Sequence, residues 1–126
     1  MKNLFLLIVI TVISATNVFA QYGDYTLTRE QEAKCTELTR AMVNELRLNE
    51  MEYIKLKALN REKIAAEDAT RESLKDNVAA LELKLQEIET DFETKLTAIL
   101  NANQLQAFAE YKRKNTARHI AVSEVE

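Results

Sequence analysis

From Asp24 to Glu126 this chain contains neither glycine nor proline. These two residues are the strongest breakers of α-helices. The same stretch is rich in Ala, Leu, Glu, Lys, Gln and Arg, which have the highest helix propensities. The sequence therefore predicts an all-α fold in which capping side chains mark the points where helices begin.

One short motif recurs three times: a Leu, then Thr or Asn, then Gln or Glu three places further on. The Thr or Asn oxygen can cap a helix N-terminus, and the Gln or Glu can reach back to the N–H of the cap residue, which together form a capping box. The motif predicts helices that begin after Thr28, Asn49 and Asn101. Its three copies are Leu27, Thr28 and Gln31; Leu48, Asn49 and Glu52; and Leu100, Asn101 and Gln104.

The first helix is predicted from Arg29 to about Arg47, and the second begins after Asn49. In the first, one face carries apolar residues three or four places apart, as in a helix packed on one side; they are Cys35, Leu38, Met42 and Leu46. The second shows two apolar faces and so predicts two neighbours. One face has Met51, Ile54, Ala58 and Ala65, the opposite one has Tyr53, Leu56 and Ile64, and Leu59 lies at the margin.

A long third helix is predicted to begin near Asp68 or Thr70, where no capping box is present, so its continuity with the second helix stays open. From Thr70 to Ile99 it would measure about 45 Å, which predicts an elongated molecule. Long helices leave apolar surface uncovered, so a homodimer is expected, and the alternative is an antiparallel helical hairpin closed within one chain. The apolar seam of the third helix is similar to a coiled coil up to Phe92; the seam comprises Leu74, Val78, Leu81, Leu85, Ile88, Phe92, Leu96 and Ile99. A last helix after Asn101 is predicted to end at Lys112-Arg113-Lys114, where cations complement the helix dipole.

The N-terminal residues have the pattern of a secretory signal peptide. Lys2 is followed by an apolar run from Leu4 to Ile13 and by small residues before a cleavage site expected after Ala20. The run is short for a membrane span, so no stable membrane insertion is expected after cleavage. The predicted organisation is a signal peptide at 1–20, a flexible lead-in at 21–27, a single helical domain at 28–117 and a frayed tail at 118–126.

Composition argues against several classes of function. Cleavage would remove Lys2 and leave 16 basic against 20 acidic side chains without a basic stripe, so a nucleic-acid partner is not expected. No nucleophile–base pair and no glycine-rich phosphate loop is recognisable, so neither an enzyme nor a cofactor is expected. His119 is the only histidine, which leaves a metal site shared across a dimer as a minor alternative. Cys35 predicts either a buried apolar side chain or an intersubunit disulfide.

The order of signal peptide, Leu-Thr-x-x-Gln motif, long helix and second motif resembles the Spy/CpxP family of periplasmic stress proteins. The resemblance extends from Leu27 to Lys114, and the second copy has Asn101 in place of Thr, which caps a helix equally well. It implies a four-helix, cradle-shaped antiparallel homodimer in the periplasm. It also implies an ATP-independent chaperone or stress adaptor for unfolded or partly folded proteins. Other relatives imply an alternative, a regulatory or metal-sensing domain that acts on another envelope protein.

A chaperone surface of this kind requires exposed apolar side chains with charged neighbours. The second helix supplies the candidates. The predicted client-binding residues are Met51, Tyr53, Ile54, Leu56 and Leu59, with Lys55, Lys57, Arg61 and Lys63 around them.

Overall fold

The structure is a computed structural model that describes residues 25–123, with side chains up to residue 118. Within that range it contains four α-helices and no strand, which confirms the all-α prediction. Helix α1 spans Arg29–Leu46, α2 spans Glu50–Ser73, α3 spans Val78–Thr97 and α4 spans Ala102–Ser123. The predicted signal peptide at 1–20 and its cleavage site lie outside the described residues.

Three of these helices begin where the motif copies predict. Helices α1 and α2 follow the caps Thr28 and Asn49, and α4 follows Asn101. Helix α1 ends at Leu46 because Arg47 adopts the left-handed conformation, with φ 53° and ψ 50°, and donates its N–H to the Val43 carbonyl. A left-handed residue ends a right-handed helix, and the chain turns there into α2.

The predicted start of the third helix near Asp68 or Thr70 is wrong. Helix α2 continues through these positions to Ser73, and α3 begins after Asn77. The Ala80 N–H donates to Asn77 Oδ1 at 3.1 Å, so Asn77 is the cap. The two helices are therefore separate, and the 20 residues of α3 measure about 30 Å instead of the predicted 45 Å.

Helix α2 packs against both α1 and α3, and α1 packs also against α4. The four helices share one core, which all of them supply. Its buried members are Met42, Leu46, Leu56, Leu59, Phe92, Leu96 and Phe108. Of the predicted seam in α3, only Phe92 and Leu96 are buried, and Val78 is 74% exposed. The core therefore meets the C-terminal half of α3, while the first turn of this helix is open to solvent.

The predicted end of the last helix lies too early. Helix α4 continues to Ser123, so the stretch from residue 118 that was predicted as a frayed tail is helical up to that residue. The cations that suggested a C-terminus pair with acids on other helices instead. Lys112 Nζ lies 2.8 Å from Glu93 Oε2 on α3, and Lys114 Nζ lies 3.3 Å from Glu45 Oε2 on α1.

The described part of the predicted lead-in is attached to α2. Arg61 Nη2 donates to the Tyr25 carbonyl at 2.7 Å, and the same guanidinium pairs with Glu32 on α1. One side chain of α2 therefore binds both the entry to α1 and its first turn.

Candidate functional site

Part of the predicted client-binding surface is exposed at the start of α2. Met51 is 64% exposed and Ile54 is 56% exposed, and the two lie one helical turn apart. Lys55 beside them is exposed, and Tyr53 is half-buried. This group of Met51, Ile54 and Lys55 is called the α2 patch below.

Two predicted members of that surface belong to the core. Leu56 is fully buried and Leu59 nearly so, and both pack with Met42, Phe92 and their neighbours. The prediction that they contact a client is wrong, because no part of a client reaches a side chain that the other helices cover. Leu59, predicted at the margin of an apolar face, is 6% exposed and belongs to the core.

The predicted basic rim is largely engaged in ion pairs. Arg61 pairs with Glu32, and Lys63 pairs with Glu89 of α3 and lies 4.7 Å from the centre of the Phe92 ring. Lys57 is half-buried. Lys55 is therefore the predicted basic residue with the greatest exposure to a client.

The three motif copies all form capping boxes. In the first, Gln31 N–H donates to Thr28 Oγ1 at 3.2 Å and Thr28 N–H donates to Gln31 Oε1 at 2.8 Å. The pairs Asn49 with Glu52 and Asn101 with Gln104 repeat this arrangement at 2.9–3.0 Å. The caps predicted from the sequence are confirmed.

Two of these boxes are joined to each other, which the sequence did not indicate. Gln104 Nε2 donates to Glu52 Oε2 at 2.9 Å, while Oε2 also accepts the Asn49 N–H. Gln104 is only 7% exposed. The amide thus caps its own helix with its oxygen and binds the cap of α2 with its nitrogen, so the N-termini of α2 and α4 are held side by side. We call this contact the cap junction.

A second polar cluster joins α2 to α3. Lys95 Nζ lies 2.5 Å from Glu62 Oε1 and 2.8 Å from Asp91 Oδ2. Partial burial alone would lower the pKa of Lys95, but its hydrogen bonds with Asp91 and Glu62 outweigh burial and raise the pKa above its ordinary value. The residue stays a cation and acts as a structural link between the helices.

Cys35 is buried and free, as the first of the two alternatives for this residue predicted. Its Sγ donates a long hydrogen bond of 3.9 Å to the Lys57 carbonyl. Burial raises the pKa of the Cys35 thiol, although the nearby Thr39 hydroxyl acts in the other direction. A protonated, covered thiol is a poor nucleophile, and an intersubunit disulfide would require the helices around it to separate.

Among residues 25–118 no three His, Cys, Asp or Glu side chains lie close enough together to bind a metal ion. The side chain of His119 lies outside the described residues. Nor is any helix in the described part of the chain both long enough and apolar enough to cross a membrane. Comparisons of the sequence with protein-family models, with curated proteins and with solved structures found no match.

Proposed function

We propose that this protein is an ATP-independent periplasmic chaperone or envelope-stress adaptor, related to the Spy/CpxP family, that binds unfolded or partly folded proteins. The α2 patch is the observation that carries the proposal. Two large apolar side chains, both more than half exposed, lie on one helix beside an exposed lysine. Unfolded chains expose the apolar groups that such a patch can bury.

The size of the patch favours weak capture. Full burial of a Met or Ile side chain is worth about 1.5–3 kcal/mol, so the two together supply at most about 3–6 kcal/mol before the entropy cost of association. Binding of this strength corresponds to a dissociation constant in the millimolar range or weaker for a single patch. A client held so weakly leaves without ATP hydrolysis, and several copies of the patch would be needed for tighter binding.

The homodimer predicted from the sequence stays a prediction. Val78 and Leu83 on α3 are exposed apolar side chains that a second copy can cover. A dimer would also place two α2 patches on one particle, which increases avidity for a long unfolded chain.

The proposal is tested by light scattering of a chemically denatured, aggregation-prone enzyme that is diluted into buffer with and without the protein, in the absence of ATP. We expect suppression of aggregation that increases with the molar excess of the protein over the enzyme, because a single patch binds weakly. The Met51→Gln/Ile54→Gln variant replaces both apolar side chains by Gln, which also favours helices. We expect this variant to lose most of the suppression. Leu105→Gln is the control, because it makes the same kind of change at an exposed position on α4, outside the α2 patch and outside the apolar side chains of α3 that a second copy can cover.

Each outcome decides between the candidate functions. Loss of suppression in the α2 variant alone supports client capture by the α2 patch. Equal loss in both variants assigns capture to a wider apolar surface and contradicts the role of this patch. No suppression by the unaltered protein contradicts the chaperone proposal and favours the alternative of a regulatory or metal-sensing domain.

A further inference from the structure

A cavity of about 400 Å³ is lined by residues from all four helices. Its apolar wall comprises Leu38, Met42, Phe92, Phe108 and Tyr111. This volume falls within the range of roughly 300–1,000 Å³ that is typical of small-molecule sites. We call it the four-helix cavity. None of the three residues of the α2 patch lines this cavity.

Asn60 of α2 also lines the four-helix cavity, and it carries a hydrogen-bond acceptor without a partner. The side chain has no exposed surface, and its Oδ1 makes no hydrogen bond with any of the described residues. Buried polar atoms in folded proteins are nearly always paired, so an unpaired amide oxygen marks a place where a donor is missing.

The identity of that free atom follows from the neighbouring bonds. The Thr39 hydroxyl donates to the Cys35 carbonyl at 2.7 Å, so its oxygen is left as an acceptor. Asn60 must therefore turn its NH₂ group toward Thr39, and Nδ2 donates to Thr39 Oγ1 at 3.0 Å. The opposite assignment of the amide would place two acceptors against each other. Oδ1 is thus the atom that needs a donor.

The charges at the cavity wall are matched in pairs. Lys63 pairs with Glu89, and Lys112 Nζ lies 2.8 Å from Glu93 Oε2. Each ammonium group also lies over an aromatic ring of the cavity wall, with Lys112 Nζ 5.2 Å from the centre of the Phe108 ring. With both cations paired in this way, the wall offers no net attraction for a charged ligand.

We propose that the four-helix cavity binds a small uncharged ligand that joins an apolar ring to one hydrogen-bond donor, as a phenol does, and that Asn60 Oδ1 accepts the donor. The ring packs against the aromatic and aliphatic wall. Because Oδ1 has no exposed surface, a wall side chain must change rotamer on binding, and Met42 has the unbranched, flexible chain that permits this. This inference does not depend on client binding at the α2 patch.

The test compares 4-methylphenol with 1,4-dimethylbenzene, which has a methyl group in place of the hydroxyl. Titration is followed by NMR of the methyl groups of Leu38 and Met42. We expect saturable shifts with both compounds and about tenfold tighter binding of the phenol, because only the phenol satisfies the buried acceptor. Absence of saturable shifts, or equal affinity for the two compounds, would overturn the proposal.

Two variants locate the site. Asn60→Leu keeps the number of side-chain heavy atoms and removes the acceptor, so we expect the two compounds to bind it equally well. If this variant loses its helical circular dichroism, the Leu38→Trp variant is used instead to test whether the compounds bind in the cavity. It fills the cavity from a half-buried position and is expected to abolish binding, while Leu83→Trp on the exposed face of α3 leaves binding unchanged. Tight phenol binding to folded Asn60→Leu, or to Leu38→Trp, would contradict the assignment.

Discussion

Replacement of Gln104 by Ala is expected to destabilise the protein far more than the same change at Gln31, although both residues occupy the same place in the motif. Among the described residues, the Gln31 side chain makes only the return bond of its own capping box, and its loss costs about 1 kcal/mol. Gln104 makes that return bond to the Asn101 N–H and also the bond to Glu52 across the cap junction. A hydrogen bond to a charged group contributes about 1.5–3 kcal/mol, so Gln104→Ala should cost about 2.5–4 kcal/mol in total.

The measurement is urea unfolding followed by circular dichroism, with the free energies of unfolding arranged as double-mutant cycles. The pair Glu52→Ala and Gln104→Ala should show a coupling energy of about 1.5 kcal/mol or more, since the two side chains contact each other. The pair Gln31→Ala and Gln104→Ala is the control, and its effects should add to within about 0.5 kcal/mol. A coupling below about 0.5 kcal/mol for the first pair, or equal costs for the two single Gln variants, would refute the cap junction as a source of stability.

Two further predictions concern α3 and the buried thiol. Asn77→Ala should lower the free energy of unfolding by about 1 kcal/mol through loss of the cap, and Asn77→Ser should restore most of it, as urea unfolding can show. The raised pKa of Cys35 means that the folded protein keeps a proton that the unfolded chain loses above about pH 8.5, so stability should fall as the pH rises from there toward the folded-state pKa. Cys35→Ala should show a shallower decline between about pH 8 and pH 10, and an equal slope in both proteins would contradict the assignment.

The helix starts at Thr28, Asn49 and Asn101 are predictable because a capping box is a local structure whose partners are three residues apart. The cap at Asn77 was not predicted because it consists of a single hydrogen bond from the Ala80 N–H. The alanine side chain has no acceptor for the Asn77 N–H, so no capping box forms. Local sequence therefore indicates a helix start clearly only where both halves of the box are present. The end of α4 was misplaced for a related reason, since Lys112 and Lys114 bind acids far away in the sequence.

The candidate site was predictable only in part, because the sequence of α2 does not show which of its apolar faces the other helices cover. Met51 and Ile54 lie near the start of α2 and remain exposed, whereas Leu56 and Leu59 belong to the buried core. The cap junction joins residues 52 positions apart, and the four-helix cavity forms only when all four helices meet. Such contacts depend on how the helices pack together, whereas hydrophobic periodicity and helix propensity describe each helix alone.

The hydrogen bond between Asn60 and Thr39 also restricts how α1 and α2 can slide along each other. Apolar side chains such as Leu and Met fit together in several registers, so an interface made of them alone permits a shift by one turn of about 5.4 Å. Both members of the polar pair are fully buried, and such a shift would separate them and leave the Asn60 NH₂ group without this partner, while the Thr39 hydroxyl would keep only its bond to the Cys35 carbonyl. A single buried polar contact thus selects one register of the hairpin, in the way that a buried Asn selects the register of a coiled coil.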